Sequence, residues 1–373
     1  MRVAFVRSFT PEYDGRLKKY LAALRENKAE SIFIGWDRSG RQQEPAGGTF
    51  LFKRPGKLGE GWRNGVGLLL WNFYIIKTLW HCRRDLDVIH AIDLDSAVSA
   101  WIFAKIRRVP IVFDIYDHYA QTRNIRGLVG LALSAVERFI AKFSSVTLLA
   151  DESRFRQHGL SQNMVNIQVI ENVPHVIWKP SPISLEKGER IRIGYFGVFE
   201  KKHRGLETLI DGLDGDDRVE LHFAGYGALE SYISYRASRS SNIFYHGVMQ
   251  HEKGVRFLEG MHCITGFYYL TVPNHAYAAP NKYYEHLLLG RPLLTTRGTP
   301  PGDKVSVRKT GWALEEGVQP LRDWLAGLDI DDVKLRANNA RMVWDEYYKD
   351  YYSIKVGRGY PELLRRVIKD EKY

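Results

Sequence analysis

The sequence predicts an α/β chain built of two doubly wound, mainly parallel halves. Three observations carry that expectation. Strand-like apolar runs alternate with helical patterns from the first residues to about residue 171. The alternation stops across residues 175–190, which hold Pro180, Pro182, several charges and little periodicity. It restarts at Ile191 and runs on through the second half. A length of 373 residues suits two domains, and 45% apolar residues suffice for two cores.

The elements follow in order. Residues 2–6 form a short apolar run that reads as a buried strand. Leu17, Tyr20, Leu21 and Leu24 recur at helical spacing after a turn at 11–15. Residues 31–35 and 87–90 read as strands. A helix starting near Asp95 carries Val98, Trp101, Ile102 and Ala104. Strands follow at 110–114 and 146–150, and residues 168–171 end the half. After the break, strands are expected at 191–196, 219–224, 242–246, 264–267 and 291–295. Helices are expected at 205–213, 254–260 and 281–289, the last closed by Gly290. Residues 344–369 are aromatic, charged and helical in pattern despite Gly357, Gly359 and Pro361. The expected division is 1–175, a linker at 176–190, 191–345, and a C-terminal helical segment at 346–373 that packs back on the first domain.

Composition narrows the function. No apolar run reaches the roughly 18–20 residues that span a bilayer. The longest, 65–80, is interrupted by Asn72 and Lys77. Cys82 and Cys263 are the two cysteines and show no metal-ligand spacing. A reducing cytoplasm fits, with neither a disulfide framework nor a metal expected. Net charge is +11 and uneven: residues 1–178 hold 25 Lys and Arg against 17 Asp and Glu, the remainder 29 against 26. Residues 53–84 concentrate Lys53, Arg54, Lys57, Arg63, Lys77, Arg83 and Arg84 against Glu60 alone, interleaved with Trp62, Trp71, Phe73, Tyr74 and Trp80. That mixture predicts contact with an anionic membrane surface, and so a peripheral protein on the cytoplasmic face. A core helix with a solvated basic flank is the plainer alternative. No zinc-finger, RNP-like or helix-turn-helix pattern supports a nucleic-acid partner.

The chemistry concentrates in residues 279–292. Pro280 stands at a helix start, where its missing N–H costs nothing. The backbone N–H groups that follow, with the positive end of the dipole, make an anion site, and Lys282 adds a full charge. Glu285, one turn on, suits a ribose clamp, because a carboxylate accepts two hydroxyl hydrogen bonds. Taken locally, an ordinary amphipathic helix fits equally well.

Pro280, Lys282, Glu285, Gly290 and Pro292 match a P-x-K-x-x-E-x-x-x-x-G-x-P run. In this the chain resembles the GT-B glycosyltransferases of glycosyltransferase family 4, bacterial polysaccharide and lipid-linked sugar transferases among them. The rest falls in order around it. Residues 87–91 with 93–96 resemble the "DVIHAHD" strand and turn of the acceptor domain, and residues 169–173 the "V-I-P-N-G-V" segment before the linker. Residues 194–197 with Arg204-Gly205 resemble the glycine loop and basic-Gly pair that open the donor domain. Residues 224–227 resemble the following "G-x-G". The resemblance implies two Rossmann-like domains facing across a cleft. It implies transfer of a sugar from a nucleotide-diphosphate donor, without cofactor or metal, to a lipid-linked saccharide or polysaccharide acceptor. Gly197 would admit the donor phosphates, and Gly15, in the first strand-to-helix turn, a donor phosphate or sugar, with an ordinary turn as the equal alternative. Lys202 and Arg204 would neutralise the leaving diphosphate. Asn281, Lys282 and Glu285 would hold phosphate and ribose.

Three positions depart from the family pattern. Tyr277 stands where many relatives have a first glutamate. Val198 follows the glycine where arginine is frequent. Residues 116–118 read Tyr-Asp-His where relatives have His-Glu. A retaining enzyme needs no protein base, because the leaving phosphate takes the acceptor proton, and retention is expected. An inverting enzyme would need one, and Asp117 with His118 beside it would serve. A hydrogen-bonded strand-end turn is the alternative for both. Asp93-Leu94-Asp95 resembles a metal-binding D-x-D motif, but Asp95 or Ser96 is expected to cap the next helix, and full activity in excess chelator is expected. Tyr268, Tyr269, His275 and Tyr277 are candidates for sugar contact or loop packing. An epimerase and a degenerate binding module are the remaining readings.

Overall fold

The computed structural model describes residues 1–11, 14–40, 48–56, 65–176 and 178–371. Lys57, Glu60, Trp62 and Arg63, part of the basic stretch, lie outside the described residues. The chain forms two compact units. One comprises Met1–Glu171 with Tyr351–Tyr373, the other Asn172–Asp350.

The first unit runs β1 (Arg2–Arg7), α1 (Gly15–Glu26), β2 (Glu30–Asp37), β3 (Thr49–Lys53), α2 (Gly65–Cys82), β4 (Val88–Ile92), α3 (Leu94–Arg107), β5 (Ile111–Ile115), α4 (Tyr119–Thr122), α5 (Gly127–Phe143), β6 (Val146–Leu149), α6 (Ser153–His158) and β7 (Ile167–Val169). Its sheet has the order β3-β2-β1-β4-β5-β6-β7, and every pairing is parallel. A parallel sheet is covered on both faces, so its strands are apolar throughout. In β1, Ala4 and Val6 point to the α2–α3 side, while Val3 and Phe5 point to the α1 side.

The second unit runs β8 (Ile191–Val198), α7 (Leu206–Leu213), β9 (Val219–Tyr226), α8 (Glu230–Ala237), β10 (Ile243–Tyr245), α9 (His251–Glu259), β11 (Cys263–Gly266), α10 (Asn281–Leu289), β12 (Leu293–Thr296), α11 (Pro300–Arg308), β13 (Gly311–Leu314), α12 (Val318–Ala326) and α13 (Ile330–Val343). Its sheet order is β10-β9-β8-β11-β12-β13, again all parallel. Leu185, inside the stretch read as linker, is buried in this unit's core with Ile183 packed beside it.

The chain then returns to the first unit. Two π-helical stretches, Trp344–Tyr348 and Tyr352–Arg358, lead into α14 (Gly359–Asp370). Pro361 sits in the first turn of α14, directly after the second π-helical stretch. Tyr352, Val356, Tyr360, Leu363, Leu364 and Val367 bury against the α1 face of the sheet.

A polar chain fixes this arrangement. The Tyr360 hydroxyl lies 2.7 Å from His90 Nδ1. His90 Nε2 is 3.4 Å from Asp114. Arg16 donates two hydrogen bonds of 3.0 Å to the Asp114 carboxylate and a third to the Ile170 carbonyl. His90 and Asp114 have no exposed surface. Burial alone would raise the Asp114 carboxyl, but Arg16 and His90 outweigh it and hold it at about 2.

Candidate functional site

In an open parallel sheet, ligands bind beyond the carboxyl ends of the strands, where the strand order reverses. In the second unit that point lies between β8 and β11. Gly197, near the end of β8, has φ +148°, a conformation that favours glycine. It pairs with Gly225 of β9, where an added Cβ would overlap the Gly197 carbonyl oxygen. The backbone there leaves no room for a side chain.

Lys282 fills the space at that point. A Cβ on Gly197 would meet its Nζ at 3.0 Å, and a Cβ on Gly266, at the end of β11, would meet its Cδ at 2.9 Å. The ammonium sits 4.4 Å from the Tyr195 ring centroid and makes no hydrogen bond or ion pair among the described residues. Desolvation pushes its pKa down to about 8. It stands at the second residue of α10. Pro280 is the N-cap of that helix rather than a member of its first turn, and contributes no side-chain cap. The N–H groups of Asn281 and Lys282 are left without helical acceptors. Asn281 is exposed. Asn172 donates 2.8 Å to the Ala279 carbonyl and so steadies the approach to the helix.

Arg204 is the second cation of the site. Glu200 accepts from its Nε and Nη2 at 3.2 and 3.1 Å, and its guanidinium lies 4.7 Å from the Tyr268 ring centroid. Burial alone would lower its pKa, but Tyr268 and Glu200 hold it above the ordinary value. Glu285 is buried, with Oε1 at 3.2 Å from Nε2 of His251, at the start of α9. Lys202 is exposed at φ +65°, and its backbone N–H donates to the Glu207 carboxylate. Tyr268 thus supports Arg204. Tyr269 bonds Thr208, and His275 bonds the Tyr269 carbonyl, so both pack the loop. Tyr277 ends a one-turn helix, Pro273–Tyr277. Tyr195, Glu200 and His251 escaped the sequence reading. Tyr195 lay inside the quoted glycine loop, but no local spacing marks Glu200 or His251.

The corresponding point of the first unit lies between β1 and β4. Gly15 opens α1, where an added Cβ would meet nothing, so the backbone there makes no demand for glycine. Asp14 caps α1 through Leu17 N and pairs with Arg7, and the Tyr116 hydroxyl reaches it at 3.3 Å. Asp95 does not cap α3, as the sequence suggested. Its carboxylate accepts from Ser8 Oγ at 2.7 Å and Arg123 at 3.0 Å. Ser96 provides no cap either, because the helix begins one residue earlier, behind Asp93.

Asp93, half of the D-x-D pair in the sequence, has an unusual setting. It holds φ +59°, unusual for a residue with a side chain. Its Oδ1 accepts from Tyr116 N at 3.0 Å. Desolvation lifts its carboxyl to about 7, with Arg7 opposing and Asp95 and Asp117 adding to the rise. Asp117 itself is half-exposed and held by Arg154 at 2.9 Å. His118 turns into the interior, where its Nδ1 caps α4 and faces Glu137.

No protein-family model matches the chain, and no curated protein matches it in sequence. Solved structures match it in fold along nearly its whole length. HepE of Anabaena in complex with UDP and glucose is 14% identical, with 98% of this chain and 100% of that one aligned at a TM-score of 0.69. Sucrose-phosphate synthase of Thermosynechococcus elongatus is 12% identical over 98% and 99% of the two chains, at a TM-score of 0.74. The lipopolysaccharide outer core galactosyltransferase WaaB is 12% identical over 98% and 99%, at 0.60. At such identities the likeness is one of fold, and the chain has the GT-B fold.

Proposed function

We propose that the protein is a glycosyltransferase that takes its sugar from a nucleoside-diphosphate donor held by the second unit. The observation that carries this reading is Lys282, an ammonium with no ion pair among the described residues, at the switch point of the sheet, beside the glycine backbone of residue 197 and the open N-terminus of α10. Lys282 and Arg204 neutralise the diphosphate as the sugar leaves. Asn281 and the first N–H groups of α10 hold phosphate oxygens, and Glu285 takes the ribose hydroxyls. HepE in complex with UDP-glucose has the same fold, which favours a donor of this class. A panel of nucleoside diphosphates and their sugars, followed by thermal shift, tests the reading. A matched donor at 100 times its Kd adds roughly 2.7 kcal/mol. A flat response to every diphosphate would count against it.

The transfer proceeds with retention and needs no added divalent ion. The bond from the anomeric carbon to the phosphate oxygen breaks, and the bond to the acceptor oxygen forms on the same face. The acceptor proton passes to the departing phosphate. Asp93 favours a second reading, inversion with Asp93 as base. Its raised carboxyl, its position beyond β4 and its left-handed backbone fit a general base better than Asp117, which Arg154 occupies. In that case activity falls as pH drops through about 7, because the carboxyl protonates, and Asp93→Asn abolishes the pH step. Under retention Asp93→Asn leaves the profile unchanged, and an α-linked donor gives an α-linked product.

The acceptor is a lipid-linked saccharide or polysaccharide precursor reached from the cytoplasmic face of a membrane. WaaB, a lipopolysaccharide outer core galactosyltransferase, supports an acceptor of this kind. The first unit supports membrane contact. Among the described residues no helix is long and apolar enough to cross a membrane. Yet α2 exposes Leu69, Phe73 and Trp80, α3 exposes Ile102 and Ile106, and α5 exposes Leu128, Leu131 and Phe143. Trp101 of α3 meets Phe139 of α5 edge-on, joining their surfaces. The two carboxylates on these helices, Asp95 and Glu137, are buried, whereas Lys77, Lys105, Arg107, Arg138 and Lys142 are exposed. An apolar face rimmed by cations alone suits an anionic bilayer. Lys105→Gln, Arg107→Gln and Lys142→Gln together are expected to cost about 1 kcal/mol per charge in binding to anionic vesicles. Undiminished co-sedimentation would remove the membrane from this account.

A further inference from the structure

One cluster of the first unit lies outside both switch points. His118 stands between β5 and α4, Glu137 on the inner face of α5, and His158 at the end of α6. All three are buried, Glu137 completely. The ligand atoms they offer lie within 4.8 Å of one another. The two imidazoles stack with centroids 4.9 Å apart.

The carboxylate is held in place. Glu137 Oε1 accepts from Tyr119 N at 3.2 Å. That turns Oε2 toward the rings, 3.2 Å from His158 Nδ1 and 3.8 Å from His118 Nδ1. Apart from those two imidazoles Oε2 has no partner among the described residues, and the other His158 nitrogen, Nε2, is buried with no hydrogen-bond partner among them. Arg154 is buried nearby, but Asp117 and Gln157 take its guanidinium. A carboxylate with no exposed surface costs several kcal/mol unless something offsets its charge.

We propose that His118, Glu137 and His158 bind a divalent transition-metal ion of the zinc type. Two imidazoles and one carboxylate form a nitrogen–nitrogen–oxygen set that zinc accepts, with water completing a tetrahedron. The Tyr119 N–H that orients the carboxylate is the kind of outer partner metal ligands usually have. The ion ties α5 to α4 and α6, and so braces the helix that bears Leu128, Leu131 and Phe143. Its role is structural, and the sugar transfer does not pass through it. The ligands lie too far apart in sequence to form a short-range motif.

Metal analysis of the purified full-length chain tests this directly. One zinc per chain is expected, retained through gel filtration. After stripping with a strong chelator, added Zn2+ should raise Tm, and Co2+ should give the visible d–d absorption of a tetrahedral site. Glu137→Gln keeps the shape of the side chain and should lose both responses while its circular dichroism stays that of the parent. Should that variant fold poorly, His118→Gln serves the same comparison. Trace metal only in the parent, with no Tm response and no cobalt spectrum, would overturn the proposal and leave a buried cluster that shares a proton. Donor binding at the second unit is independent of either outcome.

Discussion

Lys282→Met is expected to lower the rate of sugar transfer by about 100- to 1,000-fold, the usual loss when one preorganised charge is taken from a developing anion. The substitution keeps the length of the chain between Gly197 and Gly266 and removes only the ammonium. The folded protein should not suffer, because burial already disfavours the charge. The pH dependence gives a second readout. The ammonium is present below its pKa of about 8 and is lost as pH rises through it. Diphosphate affinity measured by calorimetry should therefore weaken above pH 8 in the parent, and the weakening should vanish in the variant. A variant as active as the parent would take Lys282 out of the site and the proposed donor grip with it.

The largest effect on stability belongs to Arg16→Met. The change strands Asp114, which has no exposed surface and keeps His90 beside it but no cation of permanent charge in the polar chain from Tyr360. Breaking a buried pair from one side costs about 3–5 kcal/mol, against a total of about 5–15 for an ordinary domain. Urea denaturation followed by tryptophan fluorescence measures it. Adding Asp114→Asn should restore part of the loss, because the stranded charge is then gone. The same pair sets an acid limit. Asp114 sits near 2 in the folded protein, below the ordinary carboxylate value near 3.9. Its stabilisation is complete above that ordinary value and is lost as pH falls toward 2. In Arg16→Met that part of the acid transition should disappear.

The legible parts of this chain were those with local signatures. α10 occupies the nine residues expected of it, because Gly290 ends it in the left-handed conformation that glycine permits. β8, β9, β11 and β12 announced themselves as apolar runs between turns. α5 did not. Leu128, Val129, Leu131, Val136, Phe139 and Phe143 are apolar residues on its exposed side, so the contrast between faces that reveals a helix is blurred. β3 is a short edge strand after residues without pattern. The candidate site divided in the same way. Lys282 and Arg204 stand in motifs, so the sequence offers them as candidates. Asp93 reads in sequence as half of a D-x-D pair, since nothing there shows a left-handed backbone or a desolvated carboxyl. His118 reads in sequence as a neighbour of Asp117, whereas its partners Glu137 and His158 come from α5 and α6, outside any local window.

The return of the C-terminus to the first unit bears on how the chain is made. A ribosome releases β1 through β7 before the second unit, and Tyr360 and the apolar face of α14 only after it. At about 5–20 residues per second, the intervening unit takes roughly 10–40 s to synthesise. During that interval α1 covers this face of the sheet without α14, and Tyr20 and His90 lack their contacts with Tyr360. The second unit, one unbroken stretch from Asn172 to Asp350, can finish while the first still waits. The unit whose strands come earlier in the sequence is thus completed after the other, and a nascent chain stalled short of residue 360 would leave the α14 side of its apolar face exposed to chaperones.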